Sequence, residues 1–307
     1  MPDTVTRIPI AMATDDKYIL PMSVTIASLL ANAAADTFCD IYIQTQDPPP
    51  PDKAERLLSF ESLYPRCKIH LLNIDKAAFQ HTVINVPHLG LGTFFRILLP
   101  ETLAQHDRCI YLDTDTVVEK DLAELYSLDI GDNYIAAVRE ASFVETYTGA
   151  KNRAQKLGIP NLNQYINNGV MLMNLARMRK DGTQSKMLKL TSKGFASPCQ
   201  DVMNAVCYGH IKILPFHYNV MVKFHPENVK TFFASRGCRL CYTNEERAQA
   251  VRSPTVIHYV NWTNKFATKP WNSSGMYLGE RWWHYAKLSP FWPDIQRTYD
   301  HIKGSSV

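Results

Sequence analysis

The 307-residue chain has 33 basic and 29 acidic residues, and it is 46% hydrophobic and 20% charged, an ordinary composition for a soluble globular protein. This length allows one large domain, or one domain with an appendage. The net charge of +4 is too small for a nucleic-acid-binding protein, which needs a concentrated basic face. The whole excess lies in residues 251–307, which favours an anionic ligand or an anionic membrane surface near this end.

We expect no signal peptide, because the N-terminal stretch has neither a charged region nor an apolar region behind it. No apolar run approaches the ~20 residues of a membrane-spanning helix. Seven cysteines in a large chain favour reduced thiols and a cytoplasmic protein. Cys238 and Cys241 have metal-like spacing, but a structural zinc needs two further ligands and the chain has no second Cys-x-x-Cys. Two ordinary thiols are the alternative.

The first half of the chain alternates short apolar runs with helix-like segments. The pattern predicts strands over 8–13, 40–44, 69–72 and 109–112, helices over 20–31 and from Pro51, and a stiff connector over Pro48–Pro51. This β-α-β-α order predicts an α/β fold with a largely parallel sheet. Further on, strands are predicted over 134–138, 170–173 and 256–258, and a helix over 200–207. After residue 260 the chain is loop-rich and crowded with aromatic side chains, so we predict a main domain, 1–260, and a C-terminal extension, 261–307.

Two carboxylates, Asp113 and Asp115, directly follow the predicted strand 109–112. In an open α/β sheet, ligands bind at the carboxyl ends of the strands. Two carboxylates there can hold Mg²⁺ or Mn²⁺, which would bridge the phosphates of a nucleotide sugar and stabilise the diphosphate as it leaves. The alternative is a turn capped by one aspartate with the other solvated. The apolar residues on both sides make the two interpretations about equally good.

Other polar residues are weak signals individually. Asp15 follows the first predicted strand, where a carboxylate could bind a ribose or a base edge, although Asp-Asp is also common in turns. Arg96, in a predicted helix, could bind phosphate or sugar oxygens, or could form a surface salt bridge. Residues 167–169, Asn-Asn-Gly, favour a turn. His258 could complete a metal site and Lys269 could neutralise a phosphate, but a lone histidine is more often an ordinary core or surface residue.

Seven short segments occur in an order that is specific as a set: 13–16, 93–96, 111–115, 165–170, 200–204, 258–259 and 269–271. This ordered set resembles the family 8 glycosyltransferases, which include bacterial lipopolysaccharide galactosyl- and glucosyltransferases and glycogenin. The resemblance spans roughly residues 8–292. It implies a GT-A-type α/β domain for residues 1–260, with a mixed, mostly parallel sheet flanked by helices, and an aromatic-rich extension that closes over the site. It also implies a metal-dependent hexosyltransferase that moves glucose or galactose from a UDP-sugar with retention of configuration.

Site residues are carried over from the family position by position. The implied ligands of Mn²⁺ or Mg²⁺ are Asp113, Asp115 and His258, the implied UDP-sugar contacts are Thr14, Asp15, Tyr18, Arg96, Asp113, Thr114, Asn167, Cys199 and Lys269, and the implied catalytic residues are Gln200 and Asp201. For the mechanism we favour front-face attack by the acceptor hydroxyl. Covalent catalysis through a carboxylate is the alternative.

The chain departs from the family pattern at two places. Cys199 replaces a carboxylate of the family's Asp-Gln-Asp motif that normally binds donor-sugar hydroxyls, which leaves the donor open. It also keeps open a non-catalytic nucleotide-sugar-binding protein of the same fold. The stretch between His258 and Lys269 is longer than expected. A nucleotidyltransferase is a third, weaker candidate, because the chain has no long Gly-rich phosphate loop.

The partners follow from the same interpretation: a UDP-sugar donor, a saccharide or glycolipid acceptor as in lipopolysaccharide biosynthesis, and no nucleic acid. Residues 279–288 contain Trp282 and Tyr285, which share one helical face. We expect this face to dock onto the α/β domain, because aromatic side chains usually bury most of their area. The outward basic residues would then give weak peripheral contact with the inner face of the membrane.

Overall fold

The computed structural model describes residues 5–86, 90–140, 149–224, 241–260, 269–273 and 276–303. The strands in chain order are β1 Thr6–Thr14, β2 Thr37–Thr45, β3 Cys67–Asn73, β4 Arg108–Leu112, β5 Thr116–Val118, β6 Ile135–Arg139, β7 Ile166–Asn174, β8 Ile211–Leu214, β9 Val220–Met221 and β10 Val256–His258. The strands predicted from the sequence are therefore confirmed, with small differences at their ends.

The described helices flank these strands. The α-helices are Ile19–Ala31, Pro51–Leu58, Phe60–Leu63, Leu99–Thr102, Ala123–Ser127, Ala150–Leu157, Leu175–Lys180, Thr183–Leu190, Pro198–Cys207, Asn244–Arg252, Gly279–Ala286 and Trp292–Lys303. Short 3₁₀ helices cover Asp16–Tyr18, Lys76–Phe79, Leu91–Leu98, Thr191–Lys193, Phe216–Asn219 and Val222–Phe224. No helix in these ranges is long and apolar enough to cross a membrane.

Seven strands form one mixed sheet in the order β3-β2-β1-β4-β7-β6-β8. All of them run parallel except β7, which is antiparallel to both β4 and β6. Strands β5, β10 and β9 form a second, smaller sheet. A sheet covered by helices on both faces explains why β4 is apolar along most of its length. The predicted α/β fold with a mixed, mostly parallel sheet is confirmed.

The core lies on both faces of the large sheet. Along β1, Ile8, Ile10 and Met12 belong to one buried cluster, whereas Ala11 belongs to another. Because successive side chains of a strand point to opposite faces, these clusters lie on opposite sides of the sheet.

The aromatic C-terminal helices pack on the first of these clusters. The side chains of Trp282, Phe291 and Ile295 are fully buried there, and Asn32, which directly follows helix Ile19–Ala31, donates a hydrogen bond to the Tyr285 hydroxyl at 2.8 Å. The docking of Trp282 and Tyr285 onto the α/β domain is thus observed. The division at residue 260 stays a prediction.

Three short segments with predictions from the sequence are the turn at 167–169, the cysteine pair at 238 and 241, and the stretch between His258 and Lys269. The predicted turn at 167–169 is wrong, because these residues belong to the start of β7. The N–H of Asp113, which directly follows β4, donates to the Gly169 carbonyl at 2.7 Å. The zinc alternative stays untested, because Cys238 lies outside the described residues. The longer stretch between His258 and Lys269 lies mostly outside them too.

Candidate active site

The order and direction of the strands bring the polar segments to one edge of the sheet. β1 and β4 are parallel neighbours, so their carboxyl ends, followed by Asp15 and Asp113, lie at the same edge. β7 runs antiparallel to β4, so its first residues, including Asn167, lie at that edge as well. Residues that are far apart in sequence thereby meet where ligands bind in open α/β sheets.

The loop between β4 and β5 is tied to the helix beneath it. The Thr25 hydroxyl lies 3.1 Å from the Thr114 carbonyl and 2.7 Å from the Thr116 carbonyl. The Thr116 hydroxyl donates to the Asp113 carbonyl at 2.9 Å. Thr114 itself is buried. These bonds hold the loop, so the Asp113 and Asp115 carboxylates project from a fixed backbone.

His258 completes a cluster with the two carboxylates. Strand β10 pairs with β5 so that His258 lies opposite Thr116, next to the loop. Its Nε2 atom is 3.2 Å from Asp115 Oδ1 and 3.7 Å from Asp113 Oδ2. One ligand atom from each of the three residues lies within 4.8 Å of the others, and His258 is buried. The geometry brings together the three predicted metal ligands.

The chemistry of this cluster fits a divalent cation. Two carboxylates and one imidazole are a donor set that suits Mn²⁺, and a hard cation such as Mg²⁺ also accepts the oxygens. Burial alone would raise the pKa of Asp115, but Lys269 and His258 more than offset burial and hold that pKa well below its usual value. Asp115 is therefore an anion near neutral pH, ready to bind a cation.

Two basic side chains already contact the carboxylates. The Lys269 ammonium contacts Asp115 and donates to the Tyr259 carbonyl at 2.7 Å. Arg96, only 5% exposed, donates to Asp113 Oδ1 at 2.8 Å. The salt bridge of Arg96 is therefore buried at the site rather than on the surface, and each of the two carboxylates is paired with a basic side chain.

Gly169 allows the cluster to close. A Cβ atom at this position would lie 2.2 Å from His258 Cε1 and 2.7 Å from Asp113 Oδ2. Such distances are far below van der Waals contact, so only glycine permits His258 and Asp113 to approach each other here. The sequence alone predicts a turn at this glycine and does not indicate its role in the cluster.

A cleft of about 460 Å³ opens at the carboxyl ends of β1 and β2. Its wall includes Thr14, Asp15, Gln46, the 48–50 prolines and Leu91. This volume lies within the range of small-molecule sites. The prolines predicted as a stiff connector therefore also form a wall of the cleft, which the sequence analysis missed.

Asp15 and Tyr18 link the cleft to the metal-binding cluster. Asp15 Oδ1 accepts the N–H groups of Lys17 and Tyr18 at 3.0 and 3.1 Å, which leaves its other oxygen for a ligand. Burial raises the pKa of Tyr18, partly opposed by the nearby Lys269 ammonium. The ring of Tyr18 meets the edge of Trp271 with a centroid separation of 6.3 Å. The predicted nucleotide contacts thus lie beside the predicted metal ligands.

Asn167 and Gln200 lie next to each other at the start of β7. Asn167 Nδ2 is 3.3 Å from Gln200 Oε1, and the Asn168 N–H is 3.4 Å from the same oxygen. The Gln200 amide N–H₂ group points to the Tyr165 hydroxyl at 3.4 Å. The Gln200 side chain is therefore held on both sides by the protein.

The Asp201 carboxylate is bound by residues outside the metal-binding cluster, whereas the Cys199 thiol is buried near Arg96 and Asp113. Asp201 is 2% exposed, and its carboxylate accepts hydrogen bonds from Arg153, Tyr165 and the Ser197 N–H at 2.6 to 3.1 Å. Cys199 is 1% exposed, and burial raises the pKa of its thiol to about 12. The catalytic role of Asp201 and the donor contact of Cys199 stay predictions.

The mixed, mostly parallel sheet flanked by helices is a fold of the GT-A type. The solved structure of the galactosyltransferase LgtC has the same fold: it superposes with a TM-score of 0.74 at 24% identity, over 94% of this chain and 99% of LgtC. A family model described as glycosyl transferase family 8 matches residues 9–275. The chain belongs to this family.

Similar curated proteins carry related names. Glycosyltransferase GlyF of Streptococcus pneumoniae is 26% identical to this chain. The match covers 94% of this chain and 63% of the length of GlyF. A lipopolysaccharide 1,2-glucosyltransferase of Escherichia coli is 27% identical over 92% of this chain and 76% of its own length.

Proposed function

We propose that the chain is a metal-dependent hexosyltransferase that moves glucose or galactose from a UDP-sugar to a glycan or glycolipid, with retention of configuration. The observation that carries this proposal is the cluster of Asp113, Asp115 and His258 beside the cleft that contains Asp15. A nucleotide bound in the cleft would direct its diphosphate towards the cluster.

Each part of the site has a task in this reaction. Asp113, Asp115 and His258 would hold Mn²⁺ or Mg²⁺, which would supply positive charge to stabilise the leaving diphosphate. Lys269, whose ammonium lies at Asp115, neutralises a diphosphate oxygen. Thr14, Asp15 and Tyr18 bind the nucleoside. Exclusion of water from the closed site limits hydrolysis of the donor.

For the transfer step we propose front-face attack by the acceptor hydroxyl, with the leaving phosphate taking its proton. Gln200, held by Asn167 and Tyr165, would face the reacting sugar according to its place in the family pattern, but a glutamine is a poor nucleophile. The Asp201 carboxylate is engaged by Arg153 and Tyr165, which favours a positioning role for it. A glycosyl-enzyme adduct trapped on Asp201 and detected by mass spectrometry would contradict this mechanism.

The acceptor and the location of the protein are also proposals. The name of the E. coli relative supports a bacterial lipopolysaccharide glycan as acceptor. Such a substrate suits a cytoplasmic enzyme with weak peripheral membrane contact through the outward basic residues of the C-terminal segment. Co-sedimentation with anionic liposomes at low salt, lost at high salt, is the expected result. Equal failure to bind at both salt concentrations would leave the segment with a structural role only.

The decisive experiment is a panel of UDP-sugars with and without Mn²⁺, with UDP release as the readout. We expect release that requires both Mn²⁺ and an acceptor, and its loss in Asp113→Asn and Asp115→Asn. Asp132→Asn, at an exposed carboxylate remote from the cluster, is the matched control and should retain activity. Full turnover of either cluster variant at saturating Mn²⁺ would refute the metal site.

One observation supports a non-catalytic alternative. The buried Cys199 thiol stands where the family pattern has a carboxylate, so the chain could bind a nucleotide sugar without turning it over. Under that alternative, UDP-sugar would bind in the presence of Mn²⁺ but no UDP would be released with any donor.

A further inference from the structure

A row of buried polar side chains runs from the metal-binding cluster into the core. It consists of His258, Asn219, Asn167, Glu140 and Lys223, each 5% exposed or less. The successive donor–acceptor distances along the row are 3.1, 2.9, 3.2 and 2.8 Å. Burying this many polar groups is costly unless every group has a partner, so the row has a role to explain.

A backbone contact identifies which side-chain atom of Asn167 is the amide oxygen. The Gly169 N–H lies 3.1 Å from one side-chain atom of Asn167. A backbone N–H can only donate, so that atom is the amide oxygen. The Asn167 amide nitrogen must then face Glu140 Oε2 at 3.2 Å and Gln200 Oε1 at 3.3 Å. The amide uses both of its hydrogens and both of its lone pairs within the protein.

This orientation fixes the proton on His258. The Asn167 oxygen also accepts from Asn219, so the Asn219 nitrogen faces Asn167 and the Asn219 oxygen faces His258 Nδ1. An oxygen in this position requires a proton on Nδ1. In the neutral imidazole, Nε2 then carries the lone pair, and Nε2 is the atom that faces Asp113 and Asp115.

Glu140 and Lys223 end the row with a buried ion pair. Lys223 Nζ lies 2.7 Å from Glu140 Oε1 and 2.8 Å from Oε2, and Oε2 also accepts from Asn167. Only a carboxylate presents an acceptor both to the lysine and to the amide. A glutamine at this position has only one acceptor oxygen, and its other end is an N–H₂ donor group. That N–H₂ group would face either the Lys223 ammonium or the Asn167 N–H₂ group, both of which are also donors.

We propose that Glu140 and Lys223 are positioning residues that hold the Asn167 amide in one orientation. Through Asn219, this amide orients His258 for the cation. The same amide orients Gln200 by direct contact. This inference rests on the proposed metal-dependent function. Hydrogen-bond partners behind a metal-binding histidine generally affect metal affinity by 10–100-fold when removed. Asn167 thus couples the metal-binding side of the site to the side that holds Gln200.

The test compares Mn²⁺ affinity with stability in the full chain. Removing one charge of the pair would leave the other charge buried without the partner described here, so the informative variant is the double substitution Glu140→Gln/Lys223→Met. The matched control is Glu61→Gln/Lys68→Met, which neutralises an ion pair of the same residue types on the surface. Free Mn²⁺ is followed by electron paramagnetic resonance during titration, and the melting temperature is measured in parallel.

We expect the double variant to bind Mn²⁺ at least tenfold more weakly with a small change in melting temperature. Without Lys223, the glutamine side chain at position 140 no longer has a fixed orientation, so it no longer holds the Asn167 amide. The control should bind as the wild type does. Asn219→Leu keeps the ion pair and breaks the row beside His258, so it should weaken Mn²⁺ binding as well, even if the double variant folds poorly.

Wild-type Mn²⁺ affinity in both variants would overturn this inference while leaving the proposed function intact. A wild-type protein that binds no Mn²⁺ would overturn the proposed function and the inference with it.

Discussion

The predicted metal ligands His258 and Asp113 can approach each other only because Gly169 has no side chain. We predict that Gly169→Ala weakens Mn²⁺ binding at least tenfold, because its methyl group would occupy the space of the His258 ring and of the Asp113 carboxylate. The measurement is a Mn²⁺ titration of the folded variant. Gly90→Ala is the control, because a Cβ atom there meets nothing within 4 Å. Equal Mn²⁺ affinities for the wild type and Gly169→Ala would show that the cluster can open without loss.

Cys199 is a second position at which one side chain decides between interpretations. We predict that Cys199→Asp lowers the free energy of unfolding by about 3 kcal/mol, because a buried charge without a partner is costly. Arg96 is close, but its guanidinium already donates to Asp113 and to the Asn168 and Thr93 carbonyls. The UDP-glucose to UDP-galactose rate ratio should stay constant. A changed ratio with an unchanged melting temperature would instead place residue 199 against the donor sugar.

At the scale of elements, helix Pro198–Cys207 carries Gln200 on the side of β7 and Asp201 on the side of helix Ala150–Leu157. Arg153 of that second helix, together with Tyr165 beside β7, binds the Asp201 carboxylate. These two contacts join the two helices and the residue before β7 at the point from which Gln200 projects. Asp201 is therefore in a position to fix the helix that presents Gln200.

We predict that Asp201→Asn lowers the free energy of unfolding by about 3 kcal/mol, because it replaces the buried anion that Arg153 and the Tyr165 hydroxyl bind with a neutral amide. Urea unfolding measures this loss. Activity should fall together with stability, and part of it should return at lower temperature. A variant with wild-type stability and no turnover would instead identify Asp201 as a catalytic residue.

For the whole molecule, the C-terminal helices are part of the main core. Trp282 is fully buried and contacts Trp271 and Trp283 with ring centroids 5.2 and 4.9 Å apart. Arg56 of an N-terminal helix also forms an ion pair with Asp294 of the last helix. The chain should therefore unfold as one unit rather than as a domain with a loosely attached tail.

We predict that Trp282→Ala costs about 3–5 kcal/mol in the free energy of unfolding, as expected for removal of a large buried aromatic side chain. Unfolding followed by tryptophan fluorescence and by circular dichroism should give one coincident transition for the wild type. Two separate transitions would support an independent C-terminal extension beginning at residue 261.

The sequence by itself determined the α/β class, most strands and the predicted metal ligands. Apolar runs of strand length report burial on both faces, and an Asp-x-Asp pair after such a run needs no long-range information to be recognised. Its order relative to the other motifs indicated the family. The turn predicted at 167–169 failed because local preference for a turn is overridden when a neighbouring strand supplies backbone hydrogen bonds.

Only the tertiary structure decided the roles of Gly169, Asn219, Glu140 and Lys223. Asn219, Glu140 and Lys223 belong to no motif, and the motif that contains Gly169 does not indicate what this glycine contacts. Each residue acquires its role from atoms that are distant in sequence: Asn219 lies 39 residues from His258, and Lys223 lies 83 residues from Glu140. Hydrogen-bond direction, close approach and the partner of a buried charge depend on strand order and register. These are properties of the assembled sheet, because the antiparallel course of β7 brings Asn167 and Gly169 against the end of β4.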